Sequence, residues 1–530
     1  MADRLFSEAL GEGTTTTALA LLTTAVLLPL ITVAILTRRT TGESETKADG
    51  GRRPFMPGYW LPFLGHTPQM AWNAGSFLSA LRDRSPLGAF TLQFSDRRHA
   101  FVHNPHMVDT LLQSHEQRRQ DEVKLGIRSF SQEVSGEGTK WQSDIISNLP
   151  SLSTKELVIK MIENAKVHIV DLITFNTYPS DQMEWERQAD ADIIETPEGE
   201  RFVEIDLVQL VKNFIAKTAN PVLFGPDLDK NFEDIPQLLW DYEALFAPPF
   251  SVRVLPGWLT AWLPRPTIQK AKRAQRVLLS YLQEYHEAVD KQLKGEDPGY
   301  RWHDLDRADE AIKKRNTIFF ESKVPIRARA ASDLSLLRAV HAKTAPLTFW
   351  MLYEILRDPV LHQQIREEIS PHVQAAQPKN EFNLGVWVPP TVTMLDLTAL
   401  LTECSLLRSA YVETLRMYTA SWSVRRIEGK SVVLKPGESE GAAGCILEGG
   451  MYAIAPHALH QMDPRYFPEP KDWQGARHVK EEDTAKPRKA ESPNDAKPTR
   501  LPELLKAMTT DEDHKALLGT IQPYGKQPSL

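Results

Sequence analysis

The sequence predicts a mainly helical protein with a small β portion and an N-terminal transmembrane helix. Three observations support this fold class. Apolar residues recur at spacings of three and four from about residue 150 to 370, as in amphipathic helices. Short β-like runs separated by glycine-rich turns lie between residues 424 and 456. A long apolar segment without charged residues stands near the N-terminus.

That segment, residues 17–36, reads TALALLTTAVLLPLITVAIL. At about 1.5 Å per residue it just crosses a bilayer core of roughly 30 Å. Arg38 and Arg39 follow at once, whereas acidic residues dominate before it. The positive-inside rule then places the C-terminal body on the cytosolic side. A cleaved signal peptide is the alternative, but it requires a basic start and a shorter apolar run.

Residues 37–70 form a predicted linker and hinge. The second part, RRPFMPGYWLPFLGHTP, contains four prolines. Proline fixes φ and removes an N–H donor, so we expect a stiff extended segment here. The chain is thereby divided into an N-terminal tail (1–16), the anchor (17–36), the linker and one globular body (71–530).

Local signals place several elements in the body. The runs GAFTLQF and HAFVH alternate on either side of SDRR, which predicts an antiparallel hairpin. The pairs Asn104-Pro105 and Asp358-Pro359 each combine a capping side chain with a proline, which is typical of a helix start. Residues 480–500 are charged and of low complexity, which favours a solvated loop.

Composition narrows the function. The 530 residues carry a formal net charge of −7, so no basic excess indicates nucleic-acid binding. Cys404 and Cys445 are the only two cysteines, so a disulfide framework is excluded. A buried, inert thiol is the interpretation we favour for each.

One glutamate and two arginines between residues 413 and 477 are candidates for an ion-pair network. Glu413 and Arg416 stand at i and i+3 in YVETLRMY and therefore share one helix face. Most such pairs are surface ion pairs worth a few tenths of a kcal/mol. About sixty residues later, Trp473 precedes Arg477 in a proline-rich stretch that is not helical.

A long apolar helix is predicted over AVHAKTAPLTFWMLYEILRDP. Thr344 lies near its middle, and Pro346 leaves the carbonyl of Ala342 without its helical donor. Two conformations of this stretch are compatible with the missing donor. One is a local bulge that places polar groups inside the helix; the other is a kinked core helix whose threonine hydroxyl bonds back to the preceding turn.

Taken in order, these features resemble the cytochrome P-450 family of haem-thiolate enzymes over about residues 50 to 530. The nearest branch contains the sterol 7α-hydroxylases and prostacyclin synthase, and many fungal members have a run similar to TAPLTFW. The resemblance implies that Glu413, Arg416 and Arg477 form a buried, structural charge triad. A helix unbroken past Thr344, or a glutamate far from both arginines, would count against the resemblance.

The resemblance also implies where the haem b cofactor binds. PYGKQPSL is similar to the start of the family's ligand loop, with Tyr524 and Gly525 as its aromatic-glycine pair. The ligand cysteine of this branch would fall one residue after Leu530, so the fold is expected to be incomplete at its C-terminus, with no metal ligand in the chain. Either the sequence is a truncated product of a working gene, or the protein is a degenerate member without haem.

Further site residues follow from the same resemblance. Thr344 would relay protons, and Lys343 stands where most oxygen-activating members have an acid, which leaves the reaction type open. TASWS would line the substrate pocket. The pocket residues implied by this motif are Thr419, Ala420, Ser421 and Trp422.

The function implied is a membrane-bound monooxygenase that oxidises a lipophilic small molecule such as a sterol, terpenoid or other secondary metabolite. Its partner would be NADPH-cytochrome P-450 reductase, since the chain has no flavin or nucleotide motif. The body would face the cytosol from the endoplasmic reticulum membrane. A haem-dependent isomerase or dehydratase is one alternative, and a haem-free binding or inactive protein is another.

Other histidines have structural interpretations. His457 and His460 have i, i+3 spacing, but no third metal ligand accompanies them, so we expect structural histidines there. His341 is expected to face a neighbouring helix.

Overall fold

The computed structural model describes ten segments of the chain, which are residues 51–59, 65–94, 97–112, 155–243, 245, 266–376, 390–419, 422–427, 431–437 and 444–479. The predicted anchor (17–36) and the charged stretch (480–500) lie outside the described residues. Among the residues that are described, no helix has both the length and the apolar character needed to cross a bilayer.

The chain forms two compact units. The first contains the described residues between 51 and 112 and between 422 and 467. The second contains those between 155 and 245, 266 and 419, and 468 and 479. The first unit holds most of the strands, and the second is mainly helical.

The described helices are α1 (Thr67–Asp83), α2 (Pro105–Leu112), α3 (Lys155–His168), α4 (Glu184–Arg187), α5 (Leu207–Phe224), α6 (Pro226–Asn231), α7 (Ile235–Glu243), α8 (Pro266–Leu293), α9 (Glu310–Glu321), α10 (Ile326–Arg357), α11 (Pro359–Ile369), α12 (Leu397–Thr402), α13 (Ser405–Tyr418) and α14 (Ala458–Gln461).

The described strands are β1 (Gly51–Arg52), β2 (Ala89–Phe94), β3 (Arg97–Val102), β4 (Asp192–Glu195), β5 (Arg201–Glu204), β6 (Val373–Ala376), β7 (Thr391–Leu395), β8 (Trp422–Arg426), β9 (Ser431–Leu434), β10 (Gly444–Glu448) and β11 (Tyr452–Pro456).

The first unit is built around a four-stranded sheet of order β2-β3-β11-β8. The predicted hairpin is confirmed, since β2 and β3 pair antiparallel with Phe90 opposite Phe101. Strand β11 then joins β3 in parallel, with Tyr452 opposite His99. The stacked rings of Phe90 and Phe101, 5.4 Å apart, lie in the core of this unit. A second sheet has the order β1-β10-β9, so the predicted β portion is also confirmed.

The proline-rich stretch before α1 is extended where it is described, as expected. Phe55 bridges to Phe90 of β2 in parallel, and its carbonyl accepts a hydrogen bond from the Thr91 N–H at 2.7 Å. The prolines around Phe55 leave few donors for a helix, so this segment bonds to the edge of the sheet.

Both predicted cap-plus-proline helix starts are confirmed. The side chain of Asn104 accepts a hydrogen bond from the Met107 N–H at 3.1 Å, at the start of α2. Asp358 accepts from the N–H groups of Val360 and Leu361 at 3.0 and 3.1 Å, at the start of α11. These bonds satisfy donors that the first helical turn leaves without a partner.

The second unit is organised around α10. This helix contains 32 residues and is therefore about 48 Å long. It packs against α5, α7, α8, α11 and α13. The fully buried side chains of Leu334 and Leu337 face a core completed by Leu278 and Leu282 of α8. The predicted helical pattern between residues 150 and 370 is thus confirmed in outline.

One element of this region was not predicted. Strands β4 and β5 form an antiparallel hairpin, with Asp192 opposite Glu204. Gly199 lies in the turn between them with φ near +83°, a conformation that glycine adopts without strain. The prediction that the region is helical apart from short interruptions is therefore wrong for residues 192–204.

A buried ion network links three helices of the second unit. Asp333 of α10 accepts hydrogen bonds from His286 Nε2 of α8 and from Arg315 Nε of α9, both at 2.9 Å. Burial of Asp333 opposes its ionisation, but the charge of Arg315 and the His286 contact outweigh it and hold the pKa of Asp333 below its usual value. The three helices are thereby tied together at one point of the core.

Candidate functional site

The N-terminus of α13, the helix that carries Glu413, is fixed by a side chain of another helix. Glu368 of α11 accepts hydrogen bonds from the N–H groups of Leu406 and Leu407, at 3.0 and 2.9 Å. These N–H groups belong to the first turn of α13 and have no helical acceptor, so a carboxylate of another helix caps it. This contact fixes the start of the helix that carries Glu413 two turns later.

Glu413 is the centre of the site. Both Glu413 and Arg416 are fully buried. Arg416 donates from Nη2 to one Glu413 carboxylate oxygen and from Nε to the other, each at 2.8 Å. Arg477 Nε and the backbone N–H of Gln474 donate to Oε1, at 2.9 and 3.2 Å, and His478 Nε2 donates to Oε2 at 3.0 Å. The structure thus brings together the three residues of the predicted triad.

The arginines also hold the irregular segment that follows the first unit. Arg416 Nη1 donates to the Pro470 carbonyl at 2.8 Å. Arg477 donates to the carbonyls of Pro468 at 2.5 Å and Asp472 at 2.9 Å. These prolines and their neighbours cannot form a regular helix, so side-chain donors satisfy their carbonyl groups.

Trp473 anchors the same segment to α13. Its indole N–H donates to the Thr414 hydroxyl at 3.1 Å. Its side chain also packs against the buried cluster that includes Leu361 and Ile365 of α11 and Ala410 of α13. The aromatic residue singled out by the sequence therefore has a packing role beside the ion network.

Sequence reasoning missed His478 as a member of this network. Its ring contacts Glu413, and its backbone N–H donates to the Ser409 hydroxyl at 2.9 Å. The only signal for it was its position directly after Arg477, which gives no information on side-chain direction in an irregular segment.

The electrostatics of Glu413 follow from these contacts. Burial opposes ionisation, but the hydrogen bonds from Arg416, His478 and Arg477 outweigh it and lower the pKa of Glu413 from 4.5 to about 2. The carboxylate is therefore charged throughout the physiological range and is fully engaged by donors. Such a group is unsuited to proton transfer, so the arrangement locks α13 to the segment 468–479 and performs no chemistry itself.

The predicted catalytic pair lies on α10. The helix runs unbroken past Thr344, so the bulge is not formed, and one of the two criteria stated above goes against the resemblance. The Thr344 hydroxyl donates to the Val340 carbonyl at 3.0 Å, which is the back-bonded alternative. The side chain of Thr344 is exposed and that of Lys343 is half-buried.

The helix stays unbroken because hydrogen bonds close to Pro346 are kept. Pro346 removes one N–H donor, whereas Thr344 and Thr348 each bond one turn back, Thr348 to the Thr344 carbonyl at 2.9 Å. These side-chain bonds lie within the helix, and the turns on either side keep their own backbone hydrogen bonds. A single missing donor in a helix of this length is therefore tolerated.

The predicted pocket residues are only partly described. Thr419 is buried at the end of α13, and its hydroxyl donates to the Leu415 carbonyl at 2.6 Å. Trp422 begins β8, and its ring meets Phe101 edge to face at 5.7 Å. Ala420 and Ser421 lie outside the described residues, as do Tyr524 and Gly525 of the predicted ligand loop.

The described cysteines do not fit a haem ligand. Cys404 is fully buried beside the Glu368 carbonyl, with its sulfur 3.8 Å from that oxygen. Cys445 lies within β10, and burial raises the pKa of its thiol to about 12. A haem-thiolate site needs an ionised cysteine, which the environment of Cys445 opposes. Within the described part of the chain, no cluster of histidine, cysteine and acidic residues forms a metal site.

The histidines behave as predicted. His341 Nε2 lies 2.7 Å from Asn220 Oδ1 of the neighbouring helix α5, which confirms its expected direction. His457 Nε2 lies 2.9 Å from the Ser423 hydroxyl, and His460 packs edge to face on Tyr466. Burial lowers the pKa of His457 and of His460 to about 4, so both rings are neutral structural groups.

The chain was compared with profiles of known protein families. A profile of the family described as Cytochrome P450 matches residues 56–493, which is well over half of the chain.

Individual proteins match over shorter stretches. The chain is 22% identical over 390 residues to Cytochrome P450 monooxygenase nodJ of Hypoxylon pulicicidum, covering 72% of this chain and 66% of that protein. It is 30% identical over 159 residues to Cytochrome P450 7A1 of Rattus norvegicus, covering 30% of this chain and 29% of that protein. It is also 30% identical over 151 residues to 25-hydroxycholesterol 7-alpha-hydroxylase of Rattus norvegicus, covering 28% of this chain and 33% of that protein. The chain thus spans less than two thirds of the length of these relatives.

Proposed function

Because the chain belongs to the cytochrome P450 family, we propose that it is a haem-thiolate monooxygenase that oxidises a lipophilic small molecule. The observation that carries this proposal is the buried Glu413 site, which unites the three residues that the family pattern requires in one network. The named relatives include a cytochrome P450 monooxygenase and a 25-hydroxycholesterol 7-alpha-hydroxylase, which supports a sterol, terpenoid or other secondary metabolite as substrate.

The proposed cofactor is haem b, and its cysteine ligand is not among the 530 residues of the sequence, whose only two cysteines are Cys404 and Cys445. Cys404 and Cys445 are unsuited to that role, since both are buried and the pKa of Cys445 is raised to about 12. The loop that begins at Tyr524 and Gly525 is the proposed start of the ligand segment. When bound, the haem supplies oxygen activation, and the thiolate donates electron density to the iron.

The proposed partner and location follow the family. NADPH-cytochrome P-450 reductase would supply electrons, because the sequence has no flavin or nucleotide motif of its own. Residues 17–36 would anchor the protein in the endoplasmic reticulum membrane, with the body on the cytosolic side. The proposed pocket residues Thr419 to Trp422 would contact the substrate.

The test is the carbon monoxide difference spectrum of the reduced protein made from the complete native transcript. A thiolate-type Soret band is expected, and it should persist in the Cys404→Ser and Cys445→Ser variants. Loss of the band in either variant would place the ligand among the described residues and overturn the assignment. Absence of the band in the parent protein would favour the haem-free alternative and refute the enzyme proposal.

Two observations favour a second candidate, a haem-dependent isomerase or dehydratase. Lys343 stands in place of the usual acid, and the Thr344 hydroxyl is engaged within its own helix. Neither feature assists the delivery of protons to oxygen. Turnover that consumes NADPH and O₂ and places labelled oxygen from O₂ in the product supports the monooxygenase; turnover without the reductase supports the isomerase.

A further inference from the structure

His66 lies where three segments of the first unit meet. It directly precedes α1, and its buried side chain does not cap that helix. Its backbone N–H donates to the Gln93 carbonyl of β2 at 2.8 Å. Gly65 has φ near +58°, and a side chain added there would lie 2.1 Å from the same carbonyl oxygen. The start of α1 is therefore held against β2 by a close approach that requires glycine.

The two ring nitrogens of His66 bond to backbone groups of different segments. Nδ1 lies 3.0 Å from the Gln93 backbone nitrogen, and Nε2 lies 3.0 Å from the Pro57 carbonyl oxygen. An N–H group can only donate, and a carbonyl can only accept. Nδ1 therefore accepts from Gln93, and Nε2 carries the ring proton and donates to Pro57. Only the neutral ring with its proton on Nε2 makes both bonds.

We call Pro57, His66 and Gln93 the hinge clasp, because they hold the proline-rich segment along β2. The same segment is bonded to β2 at Phe55, whose carbonyl accepts from the Thr91 N–H at 2.7 Å. The N–H groups of a strand alternate between its two sides, so those of Thr91 and Gln93 both face the proline-rich segment and α1.

A second proton on the His66 ring would disrupt the hinge clasp. It would lie on Nδ1 and oppose the Gln93 N–H at 3.0 Å, so two donors would face each other. The Gln93 carbonyl oxygen lies 3.3 Å from Nδ1, but it already accepts from the His66 backbone N–H and offers only a longer second bond. The positive charge would also be buried, which is costly.

The groups around the ring favour its neutral form. Tyr59 meets the ring edge to face at 5.2 Å, and Phe77 of α1 stacks on it at 6.1 Å. Tyr59 is the titratable group among these contacts, and a phenol stays neutral in acid. Burial lowers the pKa of His66 from 6.5, and the bonds to Pro57 and Gln93 offset this only in part. The stability due to a neutral His66 is therefore full above pH 6.5 and is lost as the pH falls below it.

We propose that the hinge clasp is an acid-sensitive latch between the proline-rich segment and the sheet of the first unit. While the His66 ring is neutral, the clasp is closed and Pro57 is held beside β2. When the ring takes a proton from water, the Gln93 N–H loses its acceptor and the charged ring leaves its buried position. The Pro57 carbonyl is then released, and the chain before α1 gains freedom. This proposal does not depend on haem or on the proposed function.

Site-resolved hydrogen exchange of the full-length protein tests the hinge clasp. Protection factors, which compare each amide with a free amide at the same pH, remove the chemical effect of acid on exchange. Between about pH 7.5 and about pH 5, those of Thr91 and Gln93 should fall about tenfold, since one unit of pKa difference is a factor of ten. Phe90 and Leu92, whose amides face β3, should change much less. Equal changes at all four amides would overturn the proposal.

Two variants each keep one of the two ring bonds. His66→Gln places an amide donor near Pro57 but has no acceptor for the Gln93 N–H, and it does not titrate. The Thr91 amide should then be protected at both pH values, with no acid effect. His66→Asn places an acceptor near Gln93 but does not reach Pro57. The Gln93 amide should stay protected, whereas the Thr91 amide should lose protection at both pH values.

The matched control is His106→Gln, which removes an exposed histidine of α2 and should keep the acid effect of the parent. Burial also lowers the pKa values of His103, His457 and His460 in the first unit, to about 4 each. His66→Gln retains these three groups, so it separates the hinge clasp from general acid destabilisation. An acid effect at Thr91 that persists in His66→Gln, or normal protection of Thr91 in His66→Asn, would overturn the proposal.

A measurement on the parent covers the case in which a variant folds poorly. Deuterium exchange at the imidazole C2 carbon, followed by mass spectrometry, gives a titration curve for each histidine. His66 should reach half-titration below about 6.5, the value of an unperturbed histidine. Half-titration at or above that value would mean that the charged ring is accommodated, and the latch would be refuted.

Discussion

Replacement of Glu413 by glutamine should destabilise the protein severely, although it changes only one carboxylate oxygen. The two guanidinium groups of Arg416 and Arg477 would keep their buried positions and lose their shared anion. Removal of one member of a buried, hydrogen-bonded ion network typically costs about 3 to 5 kcal/mol. The depressed pKa of Glu413 gives a similar figure, since a shift from 4.5 to about 2 corresponds to about 3 kcal/mol.

The assay is urea unfolding followed by far-UV circular dichroism, together with hydrogen exchange of α13. The matched control is Glu310→Gln. Glu310 and Lys313 also form an i, i+3 ion pair, at 2.5 Å, but Glu310 is largely exposed, so the control should leave the urea midpoint unchanged. The reasoning fails if Glu413→Gln loses less than about 1 kcal/mol, the value of a surface pair.

The remaining predictions concern the same unit and the two thiols. Stability due to Glu413 is present above pH 4.5 and is lost as the pH falls towards about 2, because its folded pKa is depressed; Glu413→Gln should flatten this acid dependence in urea titrations. His478→Ala should cost about 1.5 kcal/mol in the same assay, as expected for one hydrogen bond to a charged group, and no loss would exclude it from the network. Asp333→Asn should cost about 3 to 5 kcal/mol, because the buried guanidinium group of Arg315 loses its counter-charge and the His286 ring loses its carboxylate acceptor; an unchanged free energy of unfolding would refute this role of Asp333. Cys404 and Cys445 should not react with a thiol reagent in the native protein at mildly alkaline pH but should both react in urea, and rapid native labelling would contradict their burial.

The sequence was sufficient where the signal is local. The hairpin of β2 and β3 and the capping side chains Asn104 and Asp358 depend on neighbouring residues, and each was predicted and confirmed. The membership of the family was also predicted, from the order and spacing of several weak motifs.

The sequence was insufficient where contacts join distant segments. Glu368 caps α13 from another helix, and His478 turns its ring towards Glu413 from an irregular loop. The spacing of residues along the sequence does not show towards which segment the side chains of Glu368 and His478 point. The missed strands β4 and β5 are short and partly polar, so the helical pattern on both sides obscured them, although Gly199 marked the turn.

The criterion that an unbroken helix past Thr344 counts against the family resemblance was too strict. Of the two alternatives for this stretch, the bulge required Pro346 to open the helix, but proline removes only one donor, and Thr344 and Thr348 bond within the helix on either side, as in the back-bonded alternative. The family profile over residues 56–493 settles the assignment independently of this detail. Continuity of the helix therefore concerns the chemistry of Thr344 and not the identity of the fold.

The parallel pairing of β11 with β3 has a consequence for how the protein is made. His99 and Tyr452 are adjacent in the sheet but about 350 residues apart in the chain. At roughly 5 to 20 residues per second, the ribosome needs about 20 to 70 s to deliver the second strand after the first. During that interval β3 presents an open edge of unpaired backbone groups, which is a template for association with other chains. We therefore expect the nascent hairpin of β2 and β3 to require chaperone protection. The first unit of the protein completes its sheet only late in translation, when β11 has been synthesised.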